Sequence, residues 1–213
     1  MDYIETPRLS TTLPNLAIHG SHNATVVLEF QGKILEIIEF ERLLGVKNLG
    51  YCQYTAAQSR KYIHTIILDY IKEKYGFTFF DTVLHQHCDS FDDSFTEKVE
   101  LFHYNTLFPA NKQVPMGHHA AHAAGSFYQS DFQNAIAISF DGGGNDGWFN
   151  VYLCDREKGV KLIDKHDVDL GFAYMCFGEY LDDIRLEHSL TTGNLVYAGK
   201  ILRSEEHTSE LQS

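Results

Sequence analysis

The chain has 213 residues, 44% hydrophobic and 22% charged, the composition of a globular protein with room for one or two domains. A net charge of -12, with no cluster of Lys or Arg, argues against nonspecific nucleic-acid binding. No apolar run reaches the length of a membrane span, and the start, "MDYIETPRLSTTLPNLAIHG", lacks the basic-then-apolar layout of a signal peptide.

Three β-rich runs come first: "NLAIHG", "ATVVLEF" and "KILEIIEF", with Gln31-Gly32 as the turn between the second and third. The next segment, 57–77, places Tyr62, Ile63, Ile66, Ile67, Tyr70 and Ile71 at helical spacing, and Gly76 is its C-terminal stop. "FFDTVLHQHC" reads as a strand and "SFTEKVELFHYN" as a helix. "HHAAHAAGSFYQS" is a helix by its alanines, "NAIAISF" a buried strand, "DGGGNDG" a turn and "WFNVYLCD" the returning strand. "VKLIDKHDV" continues the sheet and "AYMCFGEYLDDI" is a helix. This order predicts a mixed α/β domain. Cys52, Cys88, Cys154 and Cys176 show no CxxC spacing and read as reduced thiols of a cytoplasmic protein.

Three segments carry candidate chemistry. In "MGHHAAHAAG", His118 and His122 lie four apart and share one helix face, whereas His119 points roughly 100° away. Two imidazoles on one face suit a divalent ion such as Zn²⁺ or Fe²⁺. The same spacing also occurs in helices that merely carry surface histidines. No Glu follows His118, so the HExxH base of the zinc peptidases is absent. In "SFDGGGNDG", Asp141 ends a strand and Gly142, Gly143 and Gly144 follow; such a turn either cradles phosphate or closes a hairpin. The front hairpin places His22 and Asn23 in its first loop and Glu41, Arg42 and Lys47 after its third strand. Glu41 and Arg42 are equally consistent with a solvated helix start. A further polar cluster, His85, His87, Cys88 and Asp89, reads as a polar strand end.

In this order the segments resemble the nodulation-type O-carbamoyltransferases. The family's front motif, "GxxHdaSaaL…dGkIv.aveEERl.R.K", is similar to "IHGSHNATVVLEFQGKILEIIEFERLLGVK". Its "HHxxHAasAfy.S" is similar to "HHAAHAAGSFYQS", and its "A…..DG.G" to "AIAISFDGGGNDG". Gly45 stands where the family usually has a second basic residue, and Asn48 where it often has His. The resemblance spans residues 15 to 201. It implies an actin/Hsp70-like, RNase H-like mixed-sheet lobe, incomplete here. It implies transfer of a carbamoyl group from carbamoyl phosphate, through an ATP-derived carbamoyl adenylate, to the hydroxyl of a small-molecule acceptor. His118 and His122 match the family's metal-binding histidines, with Fe²⁺ or Zn²⁺ as the ion and an Asp from a region this chain lacks as third ligand. His22 matches the histidine near the reacting carbamoyl group. Asp141, Gly142, Gly143 and Gly144 match the loop that approaches the nucleotide. A tRNA threonylcarbamoyl-type transferase and a noncatalytic ATP-binding sensor of the same superfamily are the alternatives.

The last residues, "RSEEHTSELQS", are polar, without apolar period, and resemble the translation of a sequencing-library adapter. The expected division is a partial lobe over 1–202 and a non-native tail over 203–213, so the chain alone is expected not to complete the reaction.

Overall fold

The computed structural model describes residues 3–4, 12–20, 24–46, 63–86 and 108–181. They form two sheets with helices against both. The first sheet has five strands in the order β3-β2-β1-β4-β5. Its strands are β1 (Asn15–His19), β2 (Thr25–Phe30), β3 (Lys33–Glu39), β4 (Phe80–Gln86) and β5 (Ala110–Met116). β1, β2 and β3 form an antiparallel meander, and β4 and β5 add in parallel beside β1. The second sheet is an antiparallel meander of β6 (Asn134–Gly144), β7 (Gly147–Asp155) and β8 (Gly159–His166). The mixed α/β class read from the sequence is therefore observed.

Period-two alternation makes the first core. Leu16 and Ile18 of β1, Val26 and Leu28 of β2, and Val83 of β4 are buried together. Helix α1 (Phe40–Leu44) follows β3 directly and seats Phe40 in the same core. A π-helical turn, Ile63–Leu68, runs into α2 (Asp69–Tyr75), whose Ile71 is fully buried there. Gly76 ends α2 in the left-handed conformation with its N–H bonded to the Lys72 carbonyl, as expected of a C-terminal stop. Gln31 and Gly32 both take positive φ, which is what a tight hairpin turn demands. Arg42 pairs with Glu39 on an exposed surface.

Four readings need correction. β6 is not the buried strand expected of "NAIAISF": successive side chains point to opposite faces, so Ala135, Ala137 and Ser139 turn inward while Ile136, Ile138 and Phe140 stay more than half exposed. β5 has no counterpart among the predicted elements: "ANKQVPM" shows no clean alternation and contains Pro115, which an edge strand tolerates. The run "DGGGNDG" is not all turn, because β6 extends through Gly144, β7 begins at Gly147 and only Asn145 and Asp146 turn the chain. The last helix, α4 (Leu170–Phe177), starts three residues earlier than predicted, and a 3₁₀ turn follows at Gly178–Tyr180. The helix expected over 94–105, the segment 57–62 and the division at residue 202 lie outside the described residues.

Helix α3 (His118–Gln129) packs on the second sheet through Ala120, Ala123 and Phe127 against Tyr152, Cys154 and Val160. Its alanine content keeps it close to the strands. Cys154 and Cys176 are free thiols. No helix among the described residues is long and apolar enough to cross a membrane.

One polar cluster ties α2 to edge strand β3. The Glu36 carboxylate accepts hydrogen bonds from the hydroxyls of Tyr70 (2.5 Å) and Tyr75 (2.7 Å), and Lys74 lies 2.9 Å away. Burial pushes the Glu36 carboxyl up, but the three donors outweigh it and hold the group below its ordinary range. A depressed folded-state pKa adds stability above the unfolded value of about 4.3 and loses it as pH falls through the folded value. The stability advantage of wild type over Glu36→Gln is therefore expected to be full at neutral pH and to shrink below about pH 4. Urea denaturation of both proteins across the acid range checks this, and a pH-independent difference contradicts it.

Candidate functional site

Helix α3 begins beside the turn of the β6–β7 hairpin, and that turn caps it. The backbone N–H of His118 donates to Asn145 Oδ1 at 2.9 Å. The N–H groups of His119 and Ala120 donate to the two carboxylate oxygens of Asp146 at 2.8 and 3.0 Å. The helix's own N-cap is Gly117, which has no side chain to offer. Its lack of a side chain is the condition for the arrangement, because a Cβ there would lie 2.3 Å from Asp146 Oδ2. The carboxylate is also well placed at a helix N-terminus, where the partial charge is positive. Tyr152 donates its hydroxyl to the same carboxylate at 3.3 Å.

Capping in this way brings the first turn of α3 against β6. The β6–β7 register slips between Phe140 and Gly144, and Asp141 sits in the slip. Such irregularities re-aim a side chain out of the ladder. Asp141 Oδ1 accepts the Gly143 N–H at 2.8 Å, and Oδ2 accepts from His118 Nε2. Gly144 lies under the His118 ring: a Cβ at this position would come within 2.6 Å of His118 Cβ and 2.7 Å of Cδ2. The glycine run thus serves close packing against the histidine helix.

His118 and His122 share a face as their spacing predicts, with ring centroids 4.5 Å apart. His122 Nε2 is 3.2 Å from His118 Nε2 and 3.5 Å from Asp141 Oδ2. The three donor atoms cluster within 4.8 Å. A four-coordinate ion with bonds of about 2.05 Å holds its ligands roughly 3.3 Å apart, so two of the three spacings fit such an ion. The third, His118 to Asp141, is a direct hydrogen bond that a cation would have to replace. Burial pushes the Asp141 carboxyl up, but bonds from His118, His122 and Gly143 overcome it and hold the group far below the carboxylate range. The same carboxylate raises the pKa of His122. The group is therefore an anionic oxygen between two imidazoles, open to solvent on the His122 side. An apolar groove of about 410 Å³ runs from it along β6, past Ile136, Ile138 and Phe140.

His119 faces the hairpin, as helix geometry requires, with its Nε2 still 3.7 Å from Asp141 Oδ1. Its ring is fully buried, with Nε2 donating to the Gly147 carbonyl and Nδ1 accepting from the Ser139 hydroxyl, both at 2.8 Å. Gln86, at the end of β4, reaches His118 Nδ1 with its Nε2 at 3.2 Å.

Of the residues singled out in the sequence, His118, His122 and Asp141 are brought together. Asp141, expected in the loop that approaches the nucleotide, lies against both imidazole rings. Gly143 and Gly144 sit beside them, and Gly142 lies in the same stretch of β6. His22, Asn23, Lys47, His87, Cys88 and Asp89 lie outside the described residues. His85 is buried in β4. Gln86 and Asp146 were not foreseen. Asp146 stood inside a turn signal, and nothing in the chain marks Gln86.

No family model matches the chain, and no curated protein matches it. Among solved structures it is similar to full-length HypF in a phosphate- and nucleotide-bound form, at 19% identity and a TM-score of 0.47 over 73% of this chain. It is also similar to a putative N-acetylglucosamine kinase from Porphyromonas gingivalis, at 14% identity and a TM-score of 0.43 over 70% of this chain. The chain spans 18% of the length of the first and 47% of the second.

Removing the Asp146 carboxylate takes away two helix-cap acceptors at once. Asp146→Ala is expected to lower stability by about 1–2 kcal/mol, with Asp146→Asn losing less. Thermal melting of the two variants against wild type measures the difference.

Proposed function

We propose that this chain carries the ion-binding part of an O-carbamoyltransferase with an actin/Hsp70-like lobe. The reaction is transfer of a carbamoyl group, from carbamoyl phosphate through an ATP-derived carbamoyl adenylate, to the hydroxyl of a small-molecule acceptor. One observation carries the reading: His118, His122 and Asp141 converge on one point with a carboxylate held ionised. The order of the three sequence motifs supports it.

The residues that would hold the ion are His118, His122 and Asp141, with Fe²⁺ or Zn²⁺ suited to two nitrogens and one oxygen. When bound, a divalent ion supplies Lewis-acid polarisation of the carbamoyl carbonyl. The protein's part is to fix the donors before the ion arrives. Gly143 holds one Asp141 oxygen and leaves the other to the histidines. The Asp146 cap sets the height of the helix against β6. His122, on the solvent side, leaves that side open for substrate. The family resemblance also brings the nucleotide to the stretch Asp141–Gly144, although the Gly143 amide is already donated to Asp141 and the side chains of Trp148 and His118 lie against Gly143 and Gly144. His22 is assigned to the acceptor hydroxyl, whose proton a neutral imidazole can take. The alternatives are a tRNA threonylcarbamoyl-type transferase and an ATP-binding sensor. The sensor needs none of the three ligands.

Cobalt titration of the metal-stripped chain, followed by its visible absorption, tests the reading. Wild type is expected to bind one Co²⁺, and His118→Ala, His122→Ala and Asp141→Asn each to weaken binding at least tenfold. Binding that survives loss of both histidines removes the ion site, and with it the carbamoyl-transfer reading. Nucleotide binding with no bound Co²⁺ favours the sensor.

A further inference from the structure

We propose that Gln86 is the positioning residue of the ion site, and that its amide reverses when a cation binds, carrying the event from His118 to His19. This rests on the ion-site reading above. Gln86 is buried at the C-terminal end of β4, in a stretch that reads from the sequence as no more than a polar strand end. Its Nε2 donates to His118 Nδ1 at 3.2 Å, and its Oε1 accepts from His19 Nδ1. His118 in turn donates from Nε2 to Asp141. The three bonds therefore run in one direction, from β1 through β4 to β6.

That direction is incompatible with a cation on His118. Neutral imidazole has one N–H and one lone pair. Here the lone pair is on Nδ1 and points at Gln86, while the proton is on Nε2. A cation at Nε2 needs the lone pair there, so the ring's proton moves to Nδ1; the proton count and charge of the ring do not change. Nδ1–H then faces the Gln86 amine, which is donor against donor. Half a turn of the amide about its last bond resolves the conflict. Oε1 accepts from His118 Nδ1–H, and Nε2 donates to His19 Nδ1, which becomes an acceptor as that ring's own proton moves from Nδ1 to Nε2; each ring keeps one proton and no charge changes. Among side chains of this size, a primary amide can serve both arrangements, donor to one ring and acceptor from the other. A ligating histidine is usually steadied in this way by an acceptor at its second nitrogen.

The test uses the whole chain and two variants. Gln86→Leu removes the acceptor and is expected to weaken Co²⁺ binding by roughly 10- to 100-fold. Gln86→Glu can accept from His118 Nδ1–H without reversing, so it is expected to bind Co²⁺ at least as tightly as wild type. With Zn²⁺, nitrogen NMR of the histidine rings should show the His118 proton on Nε2 before loading and on Nδ1 after it. Equal affinities for wild type and Gln86→Leu overturn the proposal. So does equal weakening in both variants, which is the mark of a packing role alone. A His118 ring that keeps its proton on Nε2 with zinc bound overturns it even if Gln86→Leu fails to fold. A wild-type chain that takes up neither ion overturns the ion-site reading and this inference together. Binding abolished by His118→Ala but untouched by Gln86→Leu overturns this inference alone.

Discussion

The constraint on which the rest of the site depends is the contact between Gly117 and Asp146. A helix start leaves backbone N–H groups without partners, and α3 has a glycine where a capping side chain would normally stand. The missing acceptors come from the hairpin turn of the second sheet, Asn145 and Asp146. The turn fits only because position 117 has no Cβ. One capping arrangement thus fixes the helix's end, its distance from β6 and the residue that faces Asp141. His119 strengthens the same junction from inside, bonded to Ser139 on β6 and Gly147 on β7.

Electrostatics follows from that placement. Asp141 would be costly to hold partly buried as an anion without donors. It has three: the Gly143 amide and the rings of His118 and His122. The carboxylate therefore stays charged, and the histidine nitrogens converge on its second oxygen. Two imidazoles and a carboxylate are thus gathered at one point, with one side facing solvent.

Much of the fold was legible because alternation in β1 and β2 and helical spacing in α2 report directly on which side chains are buried. The pairing of His118 with His122 was legible for the same reason, since four residues make about one helical turn. β5 was not legible, because an edge strand with Lys112, Gln113 and Pro115 has no face of continuous apolar residues to show. The role of Asp141 was half legible. A strand followed by glycines signals close approach, but the sequence does not say what approaches. The structure puts His118 over Gly144 and Trp148 against Gly143. Gln86 and Asp146 act across long chain separations, and no local pattern encodes a contact made from another element.

Those long-range contacts give the site its place in the architecture. His118 is held on one side by Gln86 from the five-stranded sheet and on the other by Asp141 from the three-stranded sheet. The two sheets are separate hydrogen-bonded units, each with its own core. Helix α3 lies between them, and a cavity of about 560 Å³ separates its Ala121, Ala124 and Gly125 from the first sheet's Leu84 and Val114. Apolar packing on that side of the helix is therefore incomplete. A ligand that binds only the assembled donors stabilises whatever arrangement assembles them. His118 is the shared member of these contacts, bonded to Gln86 of one sheet and to Asp141 of the other, so a change at its ring bears on both.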